Sequence, residues 1–395
     1  MKIVANKNIL ILIFVISLAI RLVLVFQQND VPKADACVYD SLAISLSHGD
    51  GYVNANGVAH SLYPPFYPFF LSVIYRFFGH SYTAVKVIQS MIGAFSCVLI
   101  FLIGKKIHSA ILGALAVSIS IFYLPFIKSA ERLLTELLFT FLLLLLIFYI
   151  LKAQENRRLR YCMILGLLSG LAALTRSVAV FLPFFVLPAF IYSERGNFRN
   201  ILKKYTVVLL FFTLSMAPWV IRNYKVYHVF VPSSVEGGLG FYLSYFPPDG
   251  IFGIVPKSGP ILAESSKIQD PVLRNKFLMI KTFDFIISNP KKVMALEFKK
   301  ILYQWAPFDW EIVEGRWFNL PYVIMLPFFA LGIFFVLREF MRFYPVILPI
   351  IYVQVMSLIF YGSPRFRLPI DPYIFMISMA GILWIWRRIR MENLK

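Results

Sequence analysis

The sequence predicts an all-α, polytopic membrane protein of about ten transmembrane helices with a small segment on the non-cytoplasmic side. Three observations predict it. Of 395 residues 59% are hydrophobic and only 15% charged, whereas a soluble domain carries about 25% charged residues. A core able to hide this much Phe, Leu and Ile from water would leave almost nothing for a surface, so lipid must be the solvent. Apolar stretches of nearly bilayer length recur along the chain, and the basic residues collect in every second loop. The net charge of +19 therefore reads as membrane orientation, and no nucleic-acid partner is expected.

In order, the spans are 9–27, 82–103, 110–127, 132–151, 161–175, 177–193, 205–221, 319–337, 343–361 and 369–386. Lys2 and Lys7 precede the first, and Ala34-Asp35-Ala36 resembles a cleavage site. That apolar run is longer than a signal-peptide core and the alanines lie well past its end, so an uncleaved first helix is expected. The fifth and sixth spans meet at Thr175-Arg176-Ser177 as a tight hairpin. Read instead as one bent element, they would invert every later loop. With the N-terminus inside, the inner pieces carry Lys105, Lys106, Lys152, Arg157, Arg158, Arg160, Arg195, Arg199, Lys203, Lys204, Arg338, Arg342, Arg387, Arg388, Arg390 and Lys395. All but four of the 20 acidic residues then fall outside or at helix ends. This charge asymmetry selects the hairpin and places the chemistry outside.

Two large outer segments result, 28–81 and 222–318, within a single membrane domain spanning 1–395. Both hold amphipathic stretches suited to interfacial helices. Over 290–305, Asn289 can cap, Pro290 can occupy the first turn, and Val293, Leu296, Ile301 and Trp305 mark an apolar side beside four lysines. The run YPPFYPFF forbids a regular helix before Pro68 and reads as a rigid elbow. Cys97 and Cys162 fall inside apolar runs, so the three cysteines form neither a disulfide framework nor a zinc pattern. There is no Gly-rich phosphate loop, His cluster or internal repeat.

Candidate chemistry lies at the outer helix ends. Asp35 and Asp40 sit just beyond the first span with Tyr39 between them; Asp35 can take a proton from an attacking hydroxyl. Asp40, like Asp50, also reads as an acid of a solvated loop. Glu136 lies one and a half turns into an apolar run, where an ionisable group is costly and defaults to a functional hypothesis. Glu131 reads as charge balance with Lys128 or Arg132. Arg176, Arg222, Arg365 and Arg367 gather on the same side. A single outer arginine can simply snorkel to headgroups, but four facing an excess of acid suit a phosphate-bearing substrate. Arg21, in the outer half of the first span, is expected to pair with an outer acid.

The ordered series DACVYDSLAISLSHGDGY, YPPFYPFFL, SAERLLTELLF, GLLSGLAALTRSVAVFLP, PWVIRNY, SNPKKVMALEFKKILYQWAP and RFRLPIDPY resembles the C-type membrane glycosyltransferases. The likeness is to the branch containing protein O-mannosyltransferases and aminoarabinose transferases, and it covers nearly the whole chain. It implies a polyprenyl-phosphate-linked sugar as donor and transfer, with inversion, to a hydroxyl of a glycolipid, glycan or protein at the periplasmic face of a bacterial plasma membrane. Membrane lipids are the other expected partners. By resemblance Asp35 is the catalytic carboxylate and Glu136 a supporting acid that orients the acceptor or a basic partner. Tyr39, Asp40, Arg176, Arg222, Arg365 and Arg367 are candidates for substrate binding, Arg365 and Arg367 foremost for the lipid phosphate. Many relatives have two adjacent acids in this loop, whereas Ala36 follows Asp35, so no metal and no cofactor are expected. The competing classes are a polytopic transporter or lipid-linked-glycan flippase, which should show inverted repeats and midplane charges, and a membrane scaffold or polymer ligase.

Overall fold

The structure, a computed structural model, describes residues 7–25, 32–54, 56–60, 62–194, 196–235, 237–246, 259–311, 315–360 and 362–392. The expected orienting charges at Lys2, Arg195 and Lys395, and parts of both outer segments (28–31, 247–258 and 312–314), lie outside those residues.

The chain is a multi-pass membrane protein and all but entirely helical. The long elements are α1 (Lys7–Val25), α4 (Tyr82–Ile107), α7 (Glu136–Asn156), α10 (Phe198–Tyr227), α15 (Leu320–Arg338), α16 (Phe340–Ile359) and α18 (Asp371–Glu392). Seven described helices are long and apolar enough to cross a membrane. Three further expected spans are shorter: α5 (Ala110–Phe122), α8 (Leu159–Thr175) and the unit of a 3₁₀ turn, Ser177–Phe181, with α9 (Leu182–Ser193). At 30 residues, α10 is about 45 Å long and overshoots a hydrocarbon core of about 30 Å.

Between the long helices lie α2 (Asp35–His48), α3 (Phe66–Phe78) and α6 (Leu124–Lys128), followed later by α11 (Gly237–Tyr245), α12 (Pro260–Ser266), α13 (Pro271–Ser288), α14 (Pro290–Gln304) and α17 (Pro364–Arg367). One antiparallel hairpin interrupts the helices: β1 (Phe308–Glu311) pairs with β2 (Gly315–Phe318), Phe308 opposite Phe318. α3 begins at Phe66, two residues before Pro68. A first-turn proline gives up an N–H that would have no partner there anyway, so the elbow residues join the helix. α14 starts at Pro290 as expected, but the Asn289 side chain donates to the Phe285 carbonyl instead of capping it.

Bare backbone sets the helix crossings. Gly104 of α4 lies against Gly113 of α5, and Gly166 and Gly170 of α8 lie against α10 at Val208 and Ser215. Gly332 of α15 meets Gly381 and the Ile377 carbonyl of α18. In lipid no hydrophobic force drives helices together, so such close approach, with its dispersion gain, does. Arg21 is fully buried between α1 and α4. Among the described residues it pairs with no acid: it donates to Ser17 (carbonyl 3.1 Å, hydroxyl 2.5 Å) and Cys97 Sγ and lies over the Phe126 ring.

Polar contacts separate the two ends of the bundle. At one end Lys106 binds Glu155, Arg157 donates to the Ser193 carbonyl, Lys204 binds Glu194, and Arg342 donates to the Ile107 and His108 carbonyls. At the other, Arg176 meets Glu136, and Tyr123 meets both Asp371 and Asn319. Arg157 and Ser193 thus meet at the end opposite Arg176, which makes α8 and α9 antiparallel, as the hairpin reading requires. Gly332→Val should force a side chain into the Ile377 carbonyl. We expect a loss of about 1–3 kcal/mol, read as a fall in the thermal unfolding midpoint in detergent.

Candidate functional site

Asp35 is the first residue of α2, and the chain enters that helix through Ala34 at φ 51° and ψ −125°. An L-residue pays about 1–3 kcal/mol for a positive φ, and the strained entry lets Asp35 start the helix. There its carboxylate stands at the positive end of the helix dipole. Glu136 is likewise the first residue of α7 and is only 4% exposed. Arg176 follows the last turn of α8, and Arg365 stands in α17.

These four side chains, from four separate parts of the sequence, form one cluster. Arg365 Nε donates to Glu136 Oε1 at 2.5 Å and Arg365 Nη1 to Asp35 Oδ2 at 3.1 Å. Arg176 Nη1 reaches the same Glu136 oxygen at 3.3 Å. Two carboxylates and two guanidinium groups thus balance, which makes so polar a group tolerable at membrane depth. They differ in how far they are committed. Arg365 bridges both acids, whereas Arg176 has one long contact and lies over the rings of Phe366 (4.5 Å) and Phe139 (5.7 Å). Most of its donors have no protein partner among the described residues.

A cavity of about 370 Å³ opens on the cluster and is lined by Asp35, Tyr39, Arg176 and Arg365 together with apolar residues. Leu239 and Leu243 of α11 and Val353, Met356 and Phe360 at the end of α16 supply its greasy wall. Gly237 and Gly240 present bare backbone to it. Tyr39 packs edge-on against Tyr63 and Tyr67, at 4.8 and 5.2 Å between ring centres. Burial pushes its hydroxyl well above the ordinary tyrosine range, and the Asp35 and Glu136 charges push the same way. It stays protonated and able to donate. No third His, Cys, Asp or Glu joins Asp35 and Glu136 in a metal-binding group among the described residues.

Three other candidates stand elsewhere. Asp40, on another face of α2, is neither solvated nor on the cavity. It accepts from Tyr75 (2.5 Å) and Tyr82 (2.7 Å) and contacts His80 Nε2 at 2.9 Å, tying α2 to α3 and α4. Arg222 donates to the Tyr52 carbonyl at 2.9 Å and to Asn223, and lies over the Tyr52 and Trp219 rings. Arg367 is fully buried, bonded to Asp371 and to the Gln304 and Ala306 carbonyls, and lies 3.5 Å over the Tyr322 ring. It fastens α17 to α14 and α18. The residue that sequence reasoning missed is Tyr63, whose hydroxyl donates to Asp35 Oδ1 at 2.8 Å. In the sequence it looked like one more aromatic of a proline elbow.

Residues 63–221 match the family of dolichyl-phosphate-mannose-protein mannosyltransferases. The matched stretch contains Tyr63, Glu136 and Arg176. The chain superposes on the archaeal oligosaccharyltransferase AglB from Archaeoglobus fulgidus, in complex with an inhibitory peptide and a dolichol-phosphate, with a TM-score of 0.62 and 12% identity. The match covers 98% of this chain and 51% of that one, so the chain spans about half the length of the oligosaccharyltransferase. The apo form of the same enzyme gives a TM-score of 0.61 at 13% identity, with the same coverages. ArnT from Cupriavidus metallidurans, bound to undecaprenyl phosphate, matches over 95% of this chain and 77% of its own at a TM-score of 0.47 and 13% identity. No curated protein sequence matches the chain. The chain thus shares the fold of that oligosaccharyltransferase and, over residues 63–221, matches the mannosyltransferase family.

Glu136→Ala should leave Arg365 and Arg176 short of a buried counter-charge. We expect a loss of about 3 kcal/mol, seen as a lower unfolding midpoint in detergent, with Glu136→Asp losing less.

Proposed function

We propose that the protein is a membrane glycosyltransferase that moves a sugar from a polyprenyl-phosphate donor to a hydroxyl acceptor. The observation that carries this reading is the meeting of Asp35, Arg176 and Arg365, with Glu136 behind them, at one cavity with a charged floor and an apolar wall. The charged side suits a sugar phosphate, and the apolar side suits the isoprenoid that bears it. The fold shared with dolichol-phosphate-bound AglB and the match to dolichyl-phosphate-mannose-dependent transferases support it.

In this reading Asp35 is the general base, and its side chain is 35% exposed. The acceptor O–H gives its proton to the carboxylate while the oxygen attacks the anomeric carbon. The bond from that carbon to the phosphate oxygen breaks on the opposite face, and polyprenyl phosphate leaves with the bonding electrons. One displacement inverts the centre. The leaving group is already an anion, so fixed positive charge can take the place of a general acid. Arg176 is the group for that task, because Arg365 is held by two carboxylates whereas Arg176, on the same cavity, has one long contact to Glu136. Glu136 holds both guanidinium groups in place. Arg222 and Arg367, each committed to backbone carbonyls, have structural roles.

Ten crossings, with 28–81 and 222–318 as the outer segments, fit the separation of the two charged ends. The inner end is then basic and the catalytic face periplasmic in a bacterial plasma membrane. Acceptor contacts fall to the first outer segment and α11. A transporter reading gains nothing from the structure, since the charges that face the cavity lie at one end of the bundle.

Asp35→Asn should abolish transfer in membranes supplied with undecaprenyl-phosphate hexoses and pentoses, with folding and donor binding retained; full turnover by that variant would remove Asp35 from the chemistry. Arg176→Ala should weaken binding of undecaprenyl phosphate by about tenfold or more, the worth of a charge-assisted hydrogen bond to phosphate, while Arg367→Lys acts on stability alone. Mass spectrometry of surface glycolipids and glycoproteins with and without the gene identifies sugar and acceptor.

A further inference from the structure

The Asp35 carboxylate is held on both oxygens, and only one holder is a charge. Arg365 takes Oδ2, and the Tyr63 hydroxyl takes Oδ1 at 2.8 Å. Two donors on different oxygens fix the plane of a carboxylate, which a single donor leaves free to rotate. Each oxygen then keeps acceptor capacity in a defined direction.

Tyr63 is itself unusually well located. Its ring stacks on His60 at 5.9 Å with 13° between planes, and it meets Tyr39 edge-on at 4.8 Å. Its backbone carbonyl accepts the Tyr52 hydroxyl at 2.9 Å. Tyr52 in turn packs against Trp219 of α10, and Arg222 holds its carbonyl. The neighbouring Leu62 carbonyl accepts the Ser234 hydroxyl at 2.7 Å. Pro64 and Pro65 follow at once and stiffen the exit toward α3. An arginine and a tryptophan outside the cavity thus act on the cavity through this one loop. Asp50 is the charged residue of this loop, and it does not line the cavity.

We infer that Tyr63 is a positioning residue that sets the orientation of the Asp35 carboxylate for proton abstraction, held in place by Tyr52, His60 and Arg222. The inference rests on the reading of Asp35 as general base. Proximity of a base is worth little unless its lone pair points at the proton, and small misplacements of a catalytic group cost large factors in rate. Removing the phenol oxygen alone leaves the ring, its stack on His60 and its edge contact with Tyr39 intact.

The test compares Tyr63→Phe, Tyr63→Ala and Asp35→Asn in the full-length protein reconstituted into phospholipid vesicles. Turnover of undecaprenyl-phosphate hexoses and pentoses is followed as undecaprenyl phosphate released. Tyr63→Phe is expected to lower kcat by about tenfold, the worth of one hydrogen bond to a charged group, with KM for the donor within about twofold and an unchanged unfolding midpoint. Tyr63→Ala, which also removes the packing, should lower the unfolding midpoint as well. A Tyr63→Phe protein with wild-type kcat, or one whose deficit lies in KM or in stability, overturns the positioning role while Asp35→Asn remains inactive and the base assignment stands. Full turnover by Asp35→Asn overturns the base assignment and the inference together.

Discussion

The architecture of the site depends on one shared cation. Arg365 joins two carboxylates that lie 330 and 229 residues away in sequence, and it does so where water is scarce. None of the three groups would be stable there alone. An isolated carboxylate or guanidinium at membrane depth costs several kcal/mol, and the cost falls only when partners are close and well aimed. Once paired, the three fix the relative position of α2, α7 and α17. The cavity between them is therefore not a gap left by packing but the space that the ion cluster and the apolar helix ends enclose together.

That constraint explains which outer arginines remain available. Arg367 and Arg222 are bonded to backbone carbonyls and stacked on aromatic rings, so their donors are spent on the scaffold. Arg365 is spent on the two acids. Arg176 combines a place on the cavity wall with a single contact to an acid among the described residues, where Arg365 has two. Its two ring contacts orient the guanidinium without using its N–H groups, because a cation over an aromatic face binds through the ring's quadrupole. Burial also acts at the edge of the site. His60, behind Tyr63, has its pKa lowered by burial first and by the Arg222 charge second, so the ring that supports Tyr63 is neutral and packs as an aromatic.

Much of this was legible in the sequence, and the misses share a cause. Hydropathy found every long helix, because lipid forces the apolar run and the span to coincide, although α10 starts seven residues before its expected span and ends six beyond it. Charge sidedness placed Asp35, Glu136, Arg176 and Arg365 at one end of the bundle, where they do meet. What one dimension does not carry is the azimuth of a side chain on its helix. Asp35 and Asp40 share α2 and a charge, yet five residues turn the second toward Tyr75 and Tyr82 instead of the cavity. Arg365 and Arg367 are two residues apart and so point to different sides, one to the acids and one to Asp371. Arg21 was expected to find an acid and found a hydroxyl and a thiol, since nothing in the sequence shows that Ser17 and Cys97 face it. Tyr63 was hidden for another reason: a phenol carries no charge, and its role exists only through its distance from a carboxylate.

The division of labour within the outer half follows from the same physics. Helices that cross lipid are fixed by their length and by glycine contacts such as Gly332 with Gly381, and such contacts resist small displacements. The short outer elements use the same device, with Gly238 of α11 set against the Asn275 carbonyl of α13. α11 packs on α13 through Gly238, whose N–H donates to the Asn275 side chain, and its other glycines lie open to the cavity. A wall of bare backbone leaves room for a ring-shaped ligand, and a change of side chain there alters the shape of the opening without touching the ion cluster. The ion cluster and α11 thus face one cavity from different elements: α2, α7, α17 and the end of α8 hold the charges, and α11, seated on α13, shapes the space in front of them.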